Sequence, residues 1–439
     1  MRRAQFELAT LAAAMLGLCA GSNAVASGFA VPELSTAGIG TANALVANPD
    51  ERGAIVYNPA AMAFHDESTI NTGLLLLAPE AHVDIPGGGG DATNADWFVA
   101  PMIQAAIRIN EDWSAGLGVT APFGLETRWA PNTFPALTGR APLPSPPFAP
   151  GSSVPLSPQP TQSKLEIVNF TPTATYRVTP ELALSAGADI YWAKAAQLSS
   201  TITELEGEGT GWGFNLSAMY VKDRFSAGIN FHSAPTLALD GTFSVLDPNL
   251  VLLGAVPPSQ TAELDVDLPW RLQVGVRYEI IRDQLAVELD WTRNGWSEFQ
   301  EIKVVGDRDG TTLIEDQNQW DDANAFRLGV TYNLVEQTQL RLGYSFDETP
   351  QGDEFFSARV PDNDRHLFGL GVAHKLNDRI QLELGYMYVM LEDRDYRSTR
   401  PYDPVSAPGE VNGTTALNGE YSSDVHLIGL ELSTSFDAF

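Results

Sequence analysis

Residues 270–280 read WRLQVGVRYEI, and their side chains alternate between two kinds. The even-numbered positions are apolar: Trp270, Leu272, Val274, Val276, Tyr278 and Ile280. The odd-numbered positions are polar or small: Arg271, Gln273, Gly275, Arg277 and Glu279. Because successive side chains of a β-strand point to opposite faces, this stretch predicts a strand with one apolar and one polar face. Residues 326–334 and 340–346 repeat the alternation.

The composition of the two faces distinguishes a membrane sheet from a soluble one. In a soluble β-sandwich the apolar parity would form a core rich in Val, Ile and Leu. Here the apolar parity is also rich in Tyr and Trp, which suit the two interfaces of a bilayer, and the polar parity suits a wet lumen. The pattern therefore favours a transmembrane β-barrel, with a soluble sandwich as the alternative.

The N-terminus predicts export. Arg2 and Arg3 precede an apolar run over residues 8–20, and Ala24-Val25-Ala26 follows, which is typical of a cleavable signal peptide covering residues 1–26. The apolar run is too short to span a bilayer. The single cysteine, Cys19, lies inside this signal, so we expect the exported chain to be held by barrel hydrogen bonds without disulfides. Together with the barrel pattern, this indicates the outer membrane of a Gram-negative cell.

Charge and histidine spacing restrict the possible partners. The formal net charge is -29, which disfavours nucleic acid as a partner. The histidines show no metal-ligand spacing: His65, His82, His232, His366, His374 and His426. We therefore expect no metal and no cofactor. The expected surroundings are outer-membrane lipid and lipopolysaccharide, with the chain as a monomer.

Strand parity and turn residues predict fourteen strands. Their starts lie near residues 69, 97, 113, 164, 182, 211, 225, 263, 285, 319, 339, 362, 379 and 422. Six of the connections are tight: 110–112, 179–181, 221–224, 281–284, 335–338 and 377–378. They alternate with longer ones, so all tight turns fall at one end, as expected for short periplasmic turns and long external loops. The sequence thus predicts an all-β, antiparallel, fourteen-stranded barrel over residues 68–439.

The segment before the first strand predicts a plug. A barrel of this size is too wide to be filled by its own wall side chains alone. Residues 27–67 show no sustained alternation and several Gly and Pro breaks. We therefore expect them to form a short helical hatch inside the barrel.

Two motifs in that segment carry a family resemblance. Residues 34–42, LSTAGIGTA, and 57–62, YNPAAM, resemble the hatch of the outer-membrane long-chain fatty acid and hydrocarbon transporter family. Four later motifs follow in the family's order: GWGFN at 211–215, DWTR at 290–293, WDDA at 320–323 and PDNDR at 361–365. The resemblance implies a plugged fourteen-stranded barrel and a hydrophobic substrate that leaves sideways through an opening in the third strand.

The third strand, residues 116–124, contains a candidate opening. Pro122 has no amide hydrogen for the ladder, and Gly124 permits a kink, so pairing should fail there. The resemblance favours a lateral opening at Pro122, Phe123 and Gly124. The alternative is that the strand simply ends at the membrane surface.

Candidate substrate-binding residues lie in the hatch and in the lumen wall. The hatch candidates are Phe29, Leu34, Asn58, Pro59 and Ala60. The wall candidates, which could hold a carboxylate through paired hydrogen bonds, are Arg271, Arg277, Arg327 and Arg341. Two structural alternatives remain open. Residues 58–60 could form a turn without ligand contact, and the arginines could pair with the lumen carboxylates Glu279, Glu288, Asp290 and Glu383.

One loop departs from the family. Residues 131–160 contain ten prolines, which favour an extended chain over helices. The family's corresponding loop helps form an initial apolar groove, and the apolar residues here would have to contribute such contacts on an extended scaffold.

The sequence predicts passive outer-membrane transport of hydrophobic small molecules, with long-chain fatty acids as the first choice, by lumen binding and lateral release. Aromatic hydrocarbons are the alternative substrate class, and a general hydrophilic porin is the alternative function. An enzyme is disfavoured because the adjacent His232 and Ser233 would point to opposite faces of a strand.

Overall fold

A computed structural model describes residues 28–92 and 97–437. The predicted signal peptide, residues 1–26, lies outside this range. Within the described residues, no helix combines the length and apolar character needed to cross a membrane. Nearly all of the regular structure is β-strand.

The strands are β1 Ser68–Asp84, β2 Gly90–Asp91, β3 Phe98–Arg108, β4 Trp113–Thr120, β5 Gly124–Arg128, β6 Arg140–Pro142, β7 Ser153–Pro155, β8 Pro160–Thr179, β9 Leu182–Ser200, β10 Thr203–Lys222, β11 Phe225–His232, β12 Thr236–Val245, β13 Gln260–Asp267, β14 Trp270–Ile281, β15 Leu285–Gly295, β16 Glu301–Gly306, β17 Thr312–Gln317, β18 Ala323–Val335, β19 Thr338–Asp347, β20 Arg365–Lys375, β21 Ile380–Leu391, β22 Arg394–Tyr396 and β23 Gly419–Phe436. The α-helices are α1 Thr36–Gly40 and α2 Pro248–Leu252. Short 3-10 helices cover Arg52–Val56, Pro59–Phe64, Pro135–Leu137, Trp296–Glu298 and Thr415–Leu417.

These strands form a closed antiparallel barrel with fourteen wall positions, as predicted. Several positions are built from two consecutive segments: the third (β4, β5), seventh (β11, β12), eighth (β13, β14), ninth (β15, β16), tenth (β17, β18) and thirteenth (β21, β22). The last strand, β23, pairs with β1 along its length, from Ser68 opposite Phe436 to Asp84 opposite Glu420. This pairing closes the wall and leaves no free sheet edge at the seam.

The predicted parity is confirmed strand by strand. In β14 the side chain of Gln273 is 4% exposed, whereas its neighbour Val274 is 37% exposed and points outward. In β23 Glu431 is buried in the lumen, and Leu430 is exposed on the outside. Apolar side chains therefore cover the outer wall, where lipid rather than water satisfies them.

The tight turns also lie where the sequence predicts them. Lys222 ends β10 and Phe225 begins β11, which leaves a two-residue connection. Asp223 in this turn and Asp283 in the turn before β15 both have φ near +56°. Aspartate tolerates this left-handed conformation better than most residues, and it suits hairpin turns.

At the opposite end the long loops pack over the mouth. A buried apolar cluster joins four of them: Val83, Ile85, Ala92, Trp129, Phe134, Leu137, Phe356, Ala358, Tyr396, Val411, Ala416, Leu417 and Tyr421. The proline-rich loop 131–160 contains only one three-residue 3-10 helix and the small β6–β7 hairpin. Residues 131–160 form no α-helix, as their composition predicts, but they consist largely of turns and bends instead of an extended chain.

The N-terminal segment, residues 28–67, lies inside the barrel. Helix α1 packs on β20, β21 and β23, where inward glycines admit its backbone. A Cβ atom added at Gly343 would lie 2.0 Å from the carbonyl carbon of Thr41, and one at Gly369 would lie 2.3 Å from the Ile39 oxygen. The absence of side chains at these positions permits this close approach.

Wall carboxylates also anchor the segment. Glu288 accepts the backbone N–H of Ala47 at 2.7 Å, and Asp290 accepts that of Val46 at 3.0 Å. On the other side of the lumen, Glu431 accepts the backbone N–H of Thr36 at 3.1 Å. Such charge-assisted bonds to backbone groups fix the segment against the wall.

Candidate functional site

The third wall position is interrupted. Strand β4 ends at Thr120 and β5 begins at Gly124, with Pro122 between them. Strand β3 pairs with β4 only from Ile103 to Arg108, and β5 pairs only with β8. Among the described residues, positions 98–102 of β3 therefore have no wall strand beside them on this side. The wall contains a local gap where proline removes a ladder donor.

The start of the N-terminal segment covers this gap. Ala30 and Phe123 form an isolated antiparallel bridge. The N–H of Val31 donates to the Pro122 oxygen at 2.8 Å, and the N–H of Gly124 donates to the Phe29 oxygen at 3.0 Å. Residues 29–31 thus replace the missing piece of wall with a strand-like contact held by two hydrogen bonds.

A cavity of about 300 Å³ lies at the gap. Its lining comes from residues 28–33, 98–101, 121, 123, 124, 126, 127, 165–168 and 360–362, together with side chains of β1, β20, β21 and β23. Phe29 lines it from the lumen, whereas Val99, 58% exposed, lines it from the outer face of β3. The cavity therefore extends through the wall, and its volume is at the lower end for small-molecule sites.

The Phe29 ring, which lines this cavity, contacts four other aromatic rings. The Phe29 ring lies 4.7 Å from Trp296, 5.5 Å from Phe299 and 5.7 Å from Trp320, measured between ring centroids. It also lies 6.1 Å from Phe123 at the gap. These edge-on and tilted contacts fix Phe29 at the boundary between lumen and gap.

A second apolar cavity, of about 70 Å³, lies on the lumen side of Phe29. Its walls are mainly aliphatic: Leu165, Ala196, Leu198, Leu205, Leu239, Leu264, Val266 and Ile302. Phe29, Leu165 and Val360 line both cavities. These three side chains therefore separate an inner apolar chamber from the one that opens through the wall.

The other hatch candidates lie away from the gap cavity. Leu34 packs in the core of the segment with Leu45 and Tyr57. Asn58 donates to the Val46 oxygen at 2.8 Å and to the Ala218 oxygen at 3.1 Å.

Residues 58–60 form the capped turn that the sequence left open as an alternative. The Asn58 side chain accepts the N–H of Ala60 at 3.1 Å and caps the following 3-10 helix. The Pro59 oxygen accepts the Thr175 hydroxyl at 3.0 Å. Of these residues, Pro59 lines a third cavity of about 20 Å³, which Leu34 and Arg271 also line.

Three of the four candidate arginines are in ion pairs. Arg277 lies 3.1 Å from Asp50, and Arg327 lies 3.2 Å from Asp347. Arg341 bridges the N-terminal segment and the wall, 2.6 Å from Glu51 and 2.5 Å from Glu383. These three side chains are thus in structural ion pairs, although of their partners only Glu383 was among the carboxylates that the sequence suggested.

Arg271 differs from the other three. Within residues 28–92 and 97–437, no hydrogen bond or ion pair joins its guanidinium to another group, and its Nε is buried without a partner. It lines the 20 Å³ cavity together with Pro122 and His232. The His232 ring contacts the carboxylate of Asp189, with 2.8 Å between Nδ1 and Oδ2. Arg271 thus has no hydrogen-bonded partner among the described residues, and it interacts electrostatically with Tyr191 and Asp189 nearby.

The residues considered for catalysis and metal binding do not assemble into a site. The Ser233 hydroxyl oxygen accepts the N–H of Phe214 at 2.9 Å, whereas His232 faces Asp189 in the lumen. Across the described part of the chain, no cluster of three His, Cys, Asp or Glu side chains could hold a metal ion.

Phe299 and Val360 line the apolar cavities, and Trp296 packs against Phe29, but none of the three was among the sequence candidates. Trp320 belongs to the WDDA motif, which marked the region without indicating a role. A Trp on an inward parity beside a loop was the one available signal for Trp296.

A closed barrel with a filled lumen and an apolar cavity opening through its wall defines a membrane transport protein. Residues 17–141 and 151–436 match the model of the family described as outer membrane protein transport protein (OMPP1/FadL/TodX). The chain belongs to this family, and its location is the outer membrane.

Individual relatives are distant but extend over most of the chain. A long-chain fatty acid transport protein of Escherichia coli O6:H1 is 25% identical over 390 residues, covering 78% of this chain and 82% of that protein. Outer membrane protein P1 of Haemophilus influenzae is 23% identical over 420 residues, covering 82% and 85%.

Solved structures share the fold. The crystal structure of a Pseudomonas aeruginosa FadL homologue superposes with a TM-score of 0.77 at 18% identity, covering 93% of this chain and 100% of that one. The Ralstonia pickettii toluene transporter TbuX gives 0.64 at 16% identity, covering 92% and 98%.

Proposed function

We propose that this protein carries hydrophobic small molecules, long-chain fatty acids first among them, from the cell exterior into the bilayer through the gap at Pro122, Phe123 and Gly124. The observation that carries the proposal is the 300 Å³ cavity that extends through the wall at the interrupted third strand. The family's relatives named as long-chain fatty acid transport proteins support the substrate class.

In this proposal residues 27–67 are the hatch. A substrate in the inner chamber contacts Phe29 and Val360, displaces residues 29–31 from the gap and leaves between β3 and β5. An apolar chain gains about 0.8 kcal/mol for each methylene kept out of water. Lateral exit into lipid therefore avoids the cost of releasing the chain into the periplasm.

Arg271 is the proposed partner of a substrate carboxylate. Its lack of an ion pair among the described residues supports this role, since a guanidinium can hold a carboxylate by two parallel hydrogen bonds. Arg277, Arg327 and Arg341 are instead proposed to hold the hatch and the wall together.

Aromatic hydrocarbons are the second candidate substrate class. Phe29 lines the gap cavity and packs against Trp296 and Phe299, and this aromatic cluster favours flat apolar molecules, which pack edge-on against aromatic side chains. The toluene transporters among the structural neighbours share the fold.

The general porin and the enzyme are less well supported. Residues 28–67 fill the lumen through backbone contacts to Glu288, Asp290 and Glu431, which leaves little room for hydrophilic flux. We infer a transporter without catalytic activity, acting as a monomer whose outer wall contacts membrane lipid and whose loops contact lipopolysaccharide.

A reversible disulfide across the gap tests the lateral route. Ala30 and Phe123 are the non-hydrogen-bonded pair of the bridge, with Cα atoms expected about 4.5 Å apart, a separation a disulfide can span. The sequence contains no other cysteine than Cys19. The variant Ala30→Cys/Phe123→Cys would be produced in a transporter-deficient bacterium, and uptake of radiolabelled oleate and of toluene would be measured.

We expect the oxidised double variant to lose uptake and a reductant to restore it. The two single variants are the matched controls, since neither can form the cross-link. Unchanged uptake by fully cross-linked, membrane-inserted protein would contradict lateral exit and favour a route through the lumen.

A further inference from the structure

The 300 Å³ cavity at the gap is bordered on one side by charged side chains. Lys194 of β9, Glu166 of β8 and Glu126 of β5 all line it. The Lys194 ammonium lies 2.6 Å from the Glu166 carboxylate, and these two side chains are 45% and 26% exposed. The Glu126 side chain is buried. A cavity that is otherwise largely apolar therefore meets an ion-pair network at its edge.

Cations outnumber carboxylates in this network. Lys164 lies 2.8 Å from Glu166 and 3.9 Å from Glu126, and Arg128 also pairs with Glu126. Three cations, Lys164, Lys194 and Arg128, thus share two carboxylates. The whole chain has a formal net charge of -29 and five lysines, of which two lie here. A local positive excess in an acidic protein favours an anionic group at this place.

A β-bulge directs Lys194 towards the gap. Where β8 pairs with β9, Glu166 lies opposite Ala195 and Ile167 lies opposite Ala193, so Lys194 is the extra residue. Bulges bend a strand and change the direction of a side chain, often beside functional sites. Strand β9 is two wall positions away from the gap. The bulge and the long side chain together bring the ammonium to the edge of the cavity.

Exposed tryptophans on both sides of the gap indicate the membrane surface. Trp192 of β9 is 45% exposed, and Trp97, just before β3, is 50% exposed. Indole rings concentrate at the boundary between lipid and water. Strand β9 runs away from the tight-turn end, so Lys194 lies on the solvent side of Trp192. Strand β3 runs towards that end, so Val99, which lines the cavity, lies on the lipid side of Trp97. The cavity thus opens to lipid, with the ammonium at headgroup height.

A fatty acid that leaves sideways needs a partner for its carboxylate. The apolar chain enters lipid readily, whereas an ionised carboxylate without a partner is strongly disfavoured in apolar surroundings. A lysine at the membrane surface can hold it by a charge-assisted hydrogen bond while the stem of the lysine lies along the apolar wall. Glu166 already places a carboxylate on Lys194, and it has Lys164 as a second partner. Exchange of Glu166 for another carboxylate on Lys194 therefore leaves no charge unpaired.

We propose that Lys194 is an exit site for the carboxylate of an amphiphilic substrate. The substrate carboxylate replaces Glu166 on the Lys194 ammonium, while the apolar chain passes between β3 and β5 into lipid. Glu80 lines the opposite side of the cavity and repels the carboxylate, which favours the Lys194 side. The inference rests on the proposed lateral transport, and it adds a second polar contact at the outer surface to the one proposed for Arg271 in the lumen.

The test compares uptake of radiolabelled oleate and oleyl alcohol, which have the same chain but differ in charge, in a transporter-deficient bacterium. Lys194→Gln should lower oleate uptake about threefold to fivefold, as expected for an ion pair at a protein surface, and should leave oleyl alcohol uptake unchanged. Lys194→Arg should keep oleate uptake, because it keeps the charge. Lys303→Gln is the matched control, since Lys303 is exposed on β16 and does not line the cavity.

Two outcomes would overturn the exit site. An unchanged ratio of oleate to oleyl alcohol uptake in Lys194→Gln, with both rates normal, would show that Lys194 does not contact the substrate. An equal fall for both compounds would assign Lys194 to the wall or to the phosphate of a neighbouring lipid. The disulfide between positions 30 and 123 separates these results from a failure of the route. If it blocks uptake while Lys194→Gln changes nothing, only the exit site fails, and if it leaves uptake intact, lateral transport fails with it.

Discussion

Two parts of the N-terminal segment are held in different ways. Helix α1 lies against the wall beside Gly343, Gly369, Gly385 and Gly429, and the carboxylate of Glu431 accepts the backbone N–H of Thr36. Residues 29–31 meet the interrupted third strand through two backbone hydrogen bonds and one aromatic cluster. Close packing resists small displacements, whereas a two-bond contact can open locally. The segment thus combines a closely packed part with a part held to the wall by fewer hydrogen bonds.

The largest loss of stability is expected from Arg341→Ala, which removes the ion pairs between the N-terminal segment and the wall. This change leaves Glu51 and Glu383 buried without their cation, which typically costs about 3–5 kcal/mol. Urea unfolding followed by tryptophan fluorescence would measure the loss. Arg379→Ala is the control, because Arg379 and its partner Asp437 are exposed and their pair should contribute about 0–1 kcal/mol. Equal losses of unfolding free energy in both variants would contradict this expectation, because the buried pairs of Arg341 would then contribute no more than an exposed pair.

A smaller and more selective effect is expected at Arg271, which lines the 20 Å³ cavity together with Pro122. Arg271→Gln should reduce oleate uptake about tenfold or more, because a charge-assisted contact to the carboxylate is lost. Toluene uptake should not change, since toluene carries no charge. Arg271→Lys keeps the charge but cannot form two parallel hydrogen bonds. Its oleate uptake should therefore lie between that of the unchanged protein and that of Arg271→Gln. A parallel loss of both substrates would assign Arg271 to structure instead.

The smallest effect is a pH dependence centred on Glu33, which lines the gap cavity. Burial raises the pKa of Glu33 from 4.5 to about 7, although a hydrogen bond from Asn43 opposes the shift. The pKa of Glu33 is higher when the N-terminal segment is packed inside the barrel than when the carboxyl group is in water. Packing of the segment is therefore most favourable below about pH 4.5 and weakens as pH rises through about 7. Ionisation of Glu33 should therefore loosen the N-terminal segment.

The rate at which N-ethylmaleimide labels the Ala30→Cys variant would measure this loosening of the N-terminal segment. The rate should rise between pH 5 and pH 8 by more than the thiol's own ionisation explains. The Glu33→Gln version of the same variant supplies that baseline, because it cannot ionise. Identical pH profiles for the two would show that Glu33 does not control docking.

The strand pattern was readable because its causes are local. Lipid on one side and lumen on the other impose a period of two, so the start of β9 and the tight turns were predicted within a residue or two. Prediction was poorer where strands extend beyond the membrane. Strand β10 begins at Thr203 rather than near 211, because residues 203–210, TELEGEGT, carry little apolar parity.

The site was only partly readable, because its contacts join distant parts of the chain. The break at Pro122 follows from the chemistry of proline, and Phe29 does line the cavity. Leu34 and Asn58 hold the segment together and lie away from the gap cavity. The sequence could not distinguish Arg271 from Arg277, since both have the same parity in one strand.

By itself, the sequence determined a fourteen-stranded outer-membrane barrel, the segment that precedes it and the weak point in the third strand. These features depend on side-chain alternation, on proline and on glycine, whose effects act within a few residues. The tertiary structure decided which of the four candidate arginines has no bonded partner among the described residues, which residues cover the gap and that Asp362 reaches Gly28. Those contacts join residues up to several hundred positions apart, and only closure of the barrel brings them together.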